Sequence, residues 1–277
     1  MIILLPPSSG KTAPTSGTSL ALDTLFWNTE LHTCREELIS ALIKTCTSPH
    51  AARILKLGPN TISDIADNVD ILSAPTAPAI DLYTGVLYDA ASFENTLEKS
   101  SNSRSSLQQA HQILNSEIYL FSGLWGVIRP EDHIPNYRLC ASTKLPSIGT
   151  VSTYWKKHLT ALCSIQFKNE LIVDCRSGEY RKMWTPNAKN PIEVLQVVVK
   201  KEHPQTHKRS VVSHNAKYMR GVLAGALFAR RTSNKLPKEA SISQIVEIAS
   251  KLPQVIDVEL STPKINGEYT LTIITQA

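Results

Sequence analysis

No run in this 277-residue chain approaches the about 18 consecutive apolar residues that a membrane-spanning helix needs, so no such helix is expected. The N-terminus has no basic region, and its apolar opening stops at Pro6. A secretory signal is therefore not expected, and the cytoplasm is the expected address. Cysteine is scarce. The five thiols (Cys34, Cys46, Cys140, Cys163 and Cys175) form no Cys-x-x-Cys pair and are odd in number, which argues against a disulfide framework or a zinc knuckle. They read as reduced and mostly buried. No internal repeat is present. No His/Cys/carboxylate cluster has ligand spacing, so neither a metal nor another cofactor is expected. His203 and His207 are spaced H-x-x-x-H, but Pro204 between them argues for a loop, not a metal-binding helix face.

What the chain does have is 42% hydrophobic and 19% charged residues, with a net charge of +5. That composition describes an ordinary globular protein, long enough for one large domain or two modest ones. Basic residues gather late in the chain. Lys200, Lys201, Lys208 and Arg209 lie beside His203 and His207, and Lys217, Arg220, Arg230 and Arg231 follow. Such a face suits a polyanion, because neutralising phosphates releases counterions. It suits a merely solvated surface equally, and both readings stand.

The opening segment MIILLPPSSGKT ends as a phosphate-binding loop ends. A Walker loop, however, needs a glycine five positions before its Gly-Lys pair, and here that position is Leu5. Pro6 and Pro7 remove backbone donors from the would-be cradle, and no helix opens after Thr12. The segment reads instead as a first strand, Ile2 to Leu5, carrying Ser8, Ser9, Lys11 and Thr12 at its C-terminal end, where sheet proteins often bind ligands.

Periodicity predicts a helix over 20–47, then a second helix restarting at Ser48-Pro49 and running to Leu57. Gly58-Pro59-Asn60 breaks it, and Thr61 with Asp64 resembles a capping box for a further helix to about Val69. Residues 73–80 form a proline-punctuated connector, and 91–106 a helix end with a loop. Strands are expected at 118–127, 171–175, 194–199 and 211–213, and helices at 215–231 and 241–251. A C-terminal hairpin joins 255–260 to 269–274 through Asn266-Gly267. Strands and helices interleave, so the expected class is α/β or α+β, one domain with a mixed sheet flanked by helices.

Three stretches concentrate chemistry. In SGLWGVIRPEDHIPNYRL (122–139) a buried strand ends in glycines and projects Arg129, Asp132, His133, Tyr137 and Arg138. The arginines offer forked donors to phosphate or carboxylate; equally, Arg129–Asp132 and Arg138 salt bridges would pin an irregular loop. DCRSGEYRKMW (174–184) offers Ser177, Glu179, Tyr180 and Lys182, an acid, base and clamp if they line a cleft and a surface turn if they do not. VVSHNAKYMRG (211–221) sets His214, Lys217 and Arg220 where a helix begins, which favours an anion.

These blocks resemble those of the peroxide stress protein YaaA family. SGLWGVIRPEDHIPNYRL is similar to its long central block, LLPPSSGKT to its N-terminal block, PAIDLYTGVLYDA to its Tyr-Thr-Gly-x-x-Tyr block, and RSGEYRKMW and SHNAKYMRG to its two later ones. They occur in family order over residues 1 to about 228. The resemblance implies a single α/β domain over 1–277, a positively charged cleft, and a helix-hairpin-helix element at about 49–70 that binds duplex or branched DNA. It further implies a role in limiting iron-dependent oxidative damage. DNA and phosphate contacts would then fall to Lys11, Lys56, Gly58, Asn60, Arg129, Tyr137, Arg138, Lys217 and Arg220. Three departures stand out: Lys56 replaces the first glycine usual in such hairpins, Ser9 an acidic residue, and Gly178 an aspartate. The alternative is an enzyme acting on a small anionic or nucleobase-like substrate, with Glu179, Tyr180 and Lys182 as catalytic candidates.

Overall fold

A computed structural model gives the fold of residues 1–276. Strand β1 (Ile2–Leu5) is wholly buried and forms the middle of the principal sheet. Helix α1 (Asn28–Cys46) follows a short 3-10 turn at Leu22–Thr24, so the helix expected from residue 20 begins later. The next helix, α2 (Ala51–Leu55), is one turn long. Ser48 does not cap it: His50 holds the N-cap position, and the Ser48 hydroxyl accepts the His50 N–H at 3.3 Å while donating to the Thr45 carbonyl at 2.8 Å. Lys56 ends α2 in the left-handed region at φ 54°, a 3-10 turn covers Pro59–Thr61, and α3 (Asp64–Val69) follows; residues 51–69, where the hairpin was expected, are called the helical hairpin for short. Thr61 caps nothing in α3. Its hydroxyl accepts the Gly58 N–H at 3.0 Å, which moves the expected helix start three residues on.

The connector at 73–80 contains strand β2 (Thr76–Pro78) and opens into the short helix α4 (Ala79–Leu82), followed by α5 (Val86–Ala91). Where a helix end with a loop was expected over 91–106, α6 (Phe93–Ser100) ends and, after three residues, α7 (Arg104–Glu117) begins under a Ser103 side-chain cap. The serines and asparagine read as loop formers serve as caps, which is their usual place at helix ends.

The strand expected over 118–127 is a hairpin: β3 (Ile118–Ser122) turns back as β4 (Gly126–Ile128). Ser122 Oγ accepts the N–H groups of Leu124 and Trp125, and Gly126 adopts φ 74° with the Trp155 ring against its Cα. The buried Arg35 guanidinium bonds the Phe26, Trp125 and Val127 carbonyls and fixes that turn. Strand β5 (His133–Pro135) pairs with β2, and β6 (Lys144–Leu145) with β7 (Gly149–Thr150). Then come α8 (Val151–Gln166), β8 (Ile172–Asp174), α9 (Gly178–Arg181), β9 (Val194–Glu202) and β10 (Arg209–Ser210). Helix α10 (Ser213–Thr232) takes up the end of the expected 211–213 strand, and α11 (Ile242–Ser250) precedes the hairpin β11 (Val255–Leu260) and β12 (Glu268–Gln276).

The eight-stranded sheet runs β11-β12-β9-β8-β1-β3-β4, with β10 on β9. β1 is parallel to both neighbours, β3 and β8, and the β8–β9 and β9–β12 pairs are also parallel. The β3–β4, β10–β9 and β11–β12 pairs are antiparallel. One continuous core gathers the sheet and its flanking helices into a single mixed α/β domain. Among the described residues no helix is long and apolar enough to cross a membrane.

The chain leaves β1 toward β3 on one side and later adds β8 on the other. β1 is therefore the switch point of the sheet, where a crevice opens beyond the strand ends.

Candidate functional site

The segments that follow β1, β5 and β8 converge there with α5 and the start of α10 around a cleft of about 670 Å³. Lys11, Tyr137, Arg138, Glu179, Tyr180, Lys217 and Arg220 all line it, although they come from four remote segments. Arg129 and Lys182 do not. The Arg129 guanidinium lies on the Phe26 ring at 4.4 Å, and Lys182 is exposed beside the loop. Lys56, Gly58 and Asn60 form the exposed tip of the helical hairpin. The Lys56 charge is close enough to bear on the Cys140 thiol at the cleft rim.

Each wall is fixed by identifiable bonds. Lys11 makes a β-bridge with Tyr83, flanked by Thr12 N–H to the Leu82 carbonyl (3.0 Å) and Thr84 N–H to the Gly10 carbonyl (3.1 Å). The Tyr88 hydroxyl donates to the Pro6 carbonyl at 2.7 Å. Hydroxyls of Tyr83, Tyr137 and Ser122 form a buried chain at 2.7 and 2.6 Å. Under the 174–184 loop, Asp174 receives two 2.8 Å bonds from Arg176 and a third from Arg181, which also reaches Glu268. This buried network holds Ser177, Glu179 and Tyr180 toward the cleft.

The hairpin supports the site from outside. Asn68 of α3 clamps the Arg138 backbone, donating to its carbonyl at 3.0 Å and accepting its N–H at 2.7 Å. Asp64 lies 3.5 Å from Arg138 Nη1, and Asn136 donates to Asp67 at 2.7 Å. Arg138 Nε has no hydrogen-bond partner among the described residues, so a donor remains for a ligand.

Electrostatically the cleft is cationic. Burial, then the neighbouring Arg138 charge, brings the Lys11 pKa down to about 8. Burial also lowers Arg220, whose Nε donates to the Val197 carbonyl at 3.1 Å. Burial pushes the Cys140 thiol up, which keeps it protonated. Helix α10 starts at the cleft with no side-chain cap, so its first-turn N–H groups and dipole add to the positive field. The other basic residues of the late cluster are used differently: Arg231 makes a buried pair with Glu117, and Arg209 binds Glu202 and Glu259. His203 accepts the Gln205 and Thr206 N–H groups, and His207 sits 3.0 Å from Glu202.

The sequence profile described as peroxide stress protein YaaA matches residues 1–239. The chain belongs to that family. Among its relatives, a UPF0246 protein of Streptomyces coelicolor is 32% identical over 241 residues, covering 86% of this chain and 87% of its own length. One of Corynebacterium efficiens is 33% identical over 264 residues (93% and 95%), and one of Corynebacterium glutamicum strain R is 30% identical over 280 residues (99% and 100%).

Sequence reasoning picked out the charged residues of the lining but missed Tyr88, Gly85, Cys140 and the Asn68 buttress. Two of these had a signal. Gly85 and Tyr88 lie inside PAIDLYTGVLYDA, which was read as a block without a role.

Proposed function

We propose that this member of the peroxide stress family binds DNA without sequence specificity and so limits iron-dependent oxidative damage. Phosphates would lie against Lys11, Arg138, Lys217, Arg220 and the open start of α10. Neutralised phosphates hold fewer counterions, iron among them. The observation that carries the reading is the convergence of those four cations, from segments far apart in sequence, on one cleft. Such contacts position a backbone without reading bases. The cleft is of nucleotide size, which fits a strand end, a branch point or an extruded nucleotide better than an unbroken duplex.

The test is affinity for a duplex and a four-way junction across salt. Four phosphate-facing cations give an expected log–log slope of about −3 to −4, and Lys217→Glu should weaken binding to both. Absence of binding at low salt refutes the reading.

A second reading has its own support: tyrosines 88, 137 and 180 wall the same cleft with Glu179 among them. That lining suits a small anionic or nucleobase-like substrate. Glu179→Gln should then abolish turnover while leaving DNA affinity nearly unchanged.

A further inference from the structure

The ammonium of Lys11 lies on the cleft wall against tyrosine rings and has no acidic partner at ion-pair distance. Among the described residues no carboxylate lies within 4.0 Å of its Nζ, whereas Arg138, Arg231 and Arg209 all have acidic partners. The Lys11 Nζ lies over aromatic faces, Tyr137 at 4.6 Å and Tyr83 at 5.9 Å from the ring centroids. Its backbone is pinned by the Tyr83 bridge, so the amine is held at a fixed place on the cleft wall. Lys217, Arg220 and the start of α10 remain free to hold a phosphate in the same cleft. A partly buried amine beside a second cation and without an ion-pair partner is the environment that makes lysine a nucleophile, although Asp64 and Asp67 partly offset the effect from further away.

We propose that Lys11 forms an imine with an aldehyde-bearing sugar phosphate lodged in the cleft. The aldehyde is the open-chain deoxyribose of an abasic site in DNA or the carbonyl of a free pentose phosphate. The inference rests on reading the cleft as phosphate-binding. The neutral amine adds through its lone pair to the carbonyl carbon; a C–N bond forms, and the C=O π pair moves to oxygen, which takes a proton. The carbinolamine then loses its hydroxyl as water, accepting a proton from solvent or from Glu179, and C=N forms as the nitrogen gives up its remaining proton. Amine and aldehyde give imine and water, with no change of oxidation state. The lowered pKa of Lys11, about 8, supplies neutral amine close to physiological pH.

The experiment traps the imine. The full chain is incubated with an oligonucleotide carrying one abasic site, or separately with ribose 5-phosphate, in the presence of sodium cyanoborohydride, which reduces C=N to a stable secondary amine. Expected is a covalent adduct that peptide mapping places on Lys11. Its rate should rise from about pH 6 to about pH 8 and then level off, following the neutral amine. Lys11→Arg keeps the charge and should lower trapping at least about tenfold, as an arginine stays protonated in this range. An adduct with the oligonucleotide alone makes the source an abasic site; one with ribose 5-phosphate alone makes it a free sugar phosphate. Adduct spread over other lysines, or unchanged in Lys11→Arg, overturns the proposal. A parallel arm uses an oligonucleotide with a tetrahydrofuran abasic analogue, which has the phosphates and no aldehyde. If that oligonucleotide binds and the aldehyde is never trapped, the imine is refuted and the phosphate-binding cleft stands. If it does not bind and nothing is trapped, both fall.

Discussion

The Lys11 ammonium lies 4.6 Å from the centre of the Tyr137 ring, with the Arg138 guanidinium as its charged neighbour and, among the described residues, no carboxylate within ion-pair distance. A cation in that position is held against its own hydration, so it destabilises the fold while it serves the cleft. Lys11→Met should therefore raise stability by about 1–2 kcal/mol at neutral pH, once solvent screening is allowed for. The sign of the pH dependence follows from the lowered pKa. Between about 8 and the unfolded value of 10.5 the unfolded chain binds more protons than the folded one, so wild-type stability rises with pH across that window. The gap between variant and wild type is full below about 8 and closes toward 10.5. Chemical denaturation at a series of pH values checks it; a gap that widens with pH contradicts the burial of this charge.

Helices α5 and α10 cross with almost no space between their backbones. A Cβ on Gly221 would stand 2.1 Å from the Leu87 carbonyl oxygen, and one on Gly225 2.1 Å from that of Ala91. Gly221→Ala should destabilise by about 2–3 kcal/mol, because a backbone atom cannot swing aside as a side chain can. Leu87 and Tyr88 line the cleft, so ligand affinity should fall with stability. Gly178→Ala meets nothing within 4 Å and should be neutral; thermal unfolding of the two variants beside wild type checks both.

How far these features were legible in the chain depends on the range of the forces that set them. β1, β8, β9 and the α10 helix follow from local apolar runs and periodicity, and the structure keeps them within a few residues. The β3–β4 turn was read as one strand because apolar residues continue to Val127 on both sides of Ser122-Gly123. What bends it is Arg35, 90 residues away in sequence, bonding the Trp125 carbonyl, together with the positive φ of Gly126. The same holds at the site. Arg138, Lys217 and Glu179 are recognisable as residue types with chemistry, yet their meeting depends on parallel pairing of β1 with both β3 and β8. Arg129, equally prominent in the sequence, is drawn away by the Phe26 ring. Asn68 has no local signal, since only the fold brings it to the Arg138 backbone.

Beneath the 174–184 loop, Asp174 is fully buried against Arg176, which is also buried. Burial alone would raise the Asp174 carboxyl, but the Arg176 and Arg181 guanidiniums outweigh it and hold the group below the usual carboxylate range. Asp174→Asn leaves Arg176 charged without a counter-ion and should cost about 3–5 kcal/mol at neutral pH. A depressed carboxylate contributes its stability above the unfolded pKa of about 4 and loses it as pH falls through the folded value. The difference between Asp174→Asn and wild type should accordingly hold constant down to about pH 4 and shrink only below it. A difference that is already gone at about pH 6 would mean the pair is not ionised in the native protein.

The helical hairpin has two possible duties, and two substitutions separate them. Its tip exposes Lys56, Gly58 and Asn60, but the Gly58 N–H is already given to Thr61, and Asp64, Asp67 and Asp70 stand close behind. Its inner side presents Asn68, whose amide satisfies both the N–H and the carbonyl of Arg138. If the hairpin chiefly positions Arg138, Asn68→Ala should lose about 2 kcal/mol of stability through two unpaired backbone groups and weaken phosphate binding in the cleft. Lys56→Ala should then change DNA affinity by less than about twofold and leave the salt slope unaltered, because no phosphate contact is lost. If the tip itself touches DNA, Lys56→Ala instead lowers the slope by about one, while a small phosphate ligand binds as before. Titrations of both variants with duplex DNA and with inorganic phosphate, at two salt concentrations, tell the cases apart. The acidic surroundings of the tip and the doubly bonded Arg138 backbone favour the positioning role.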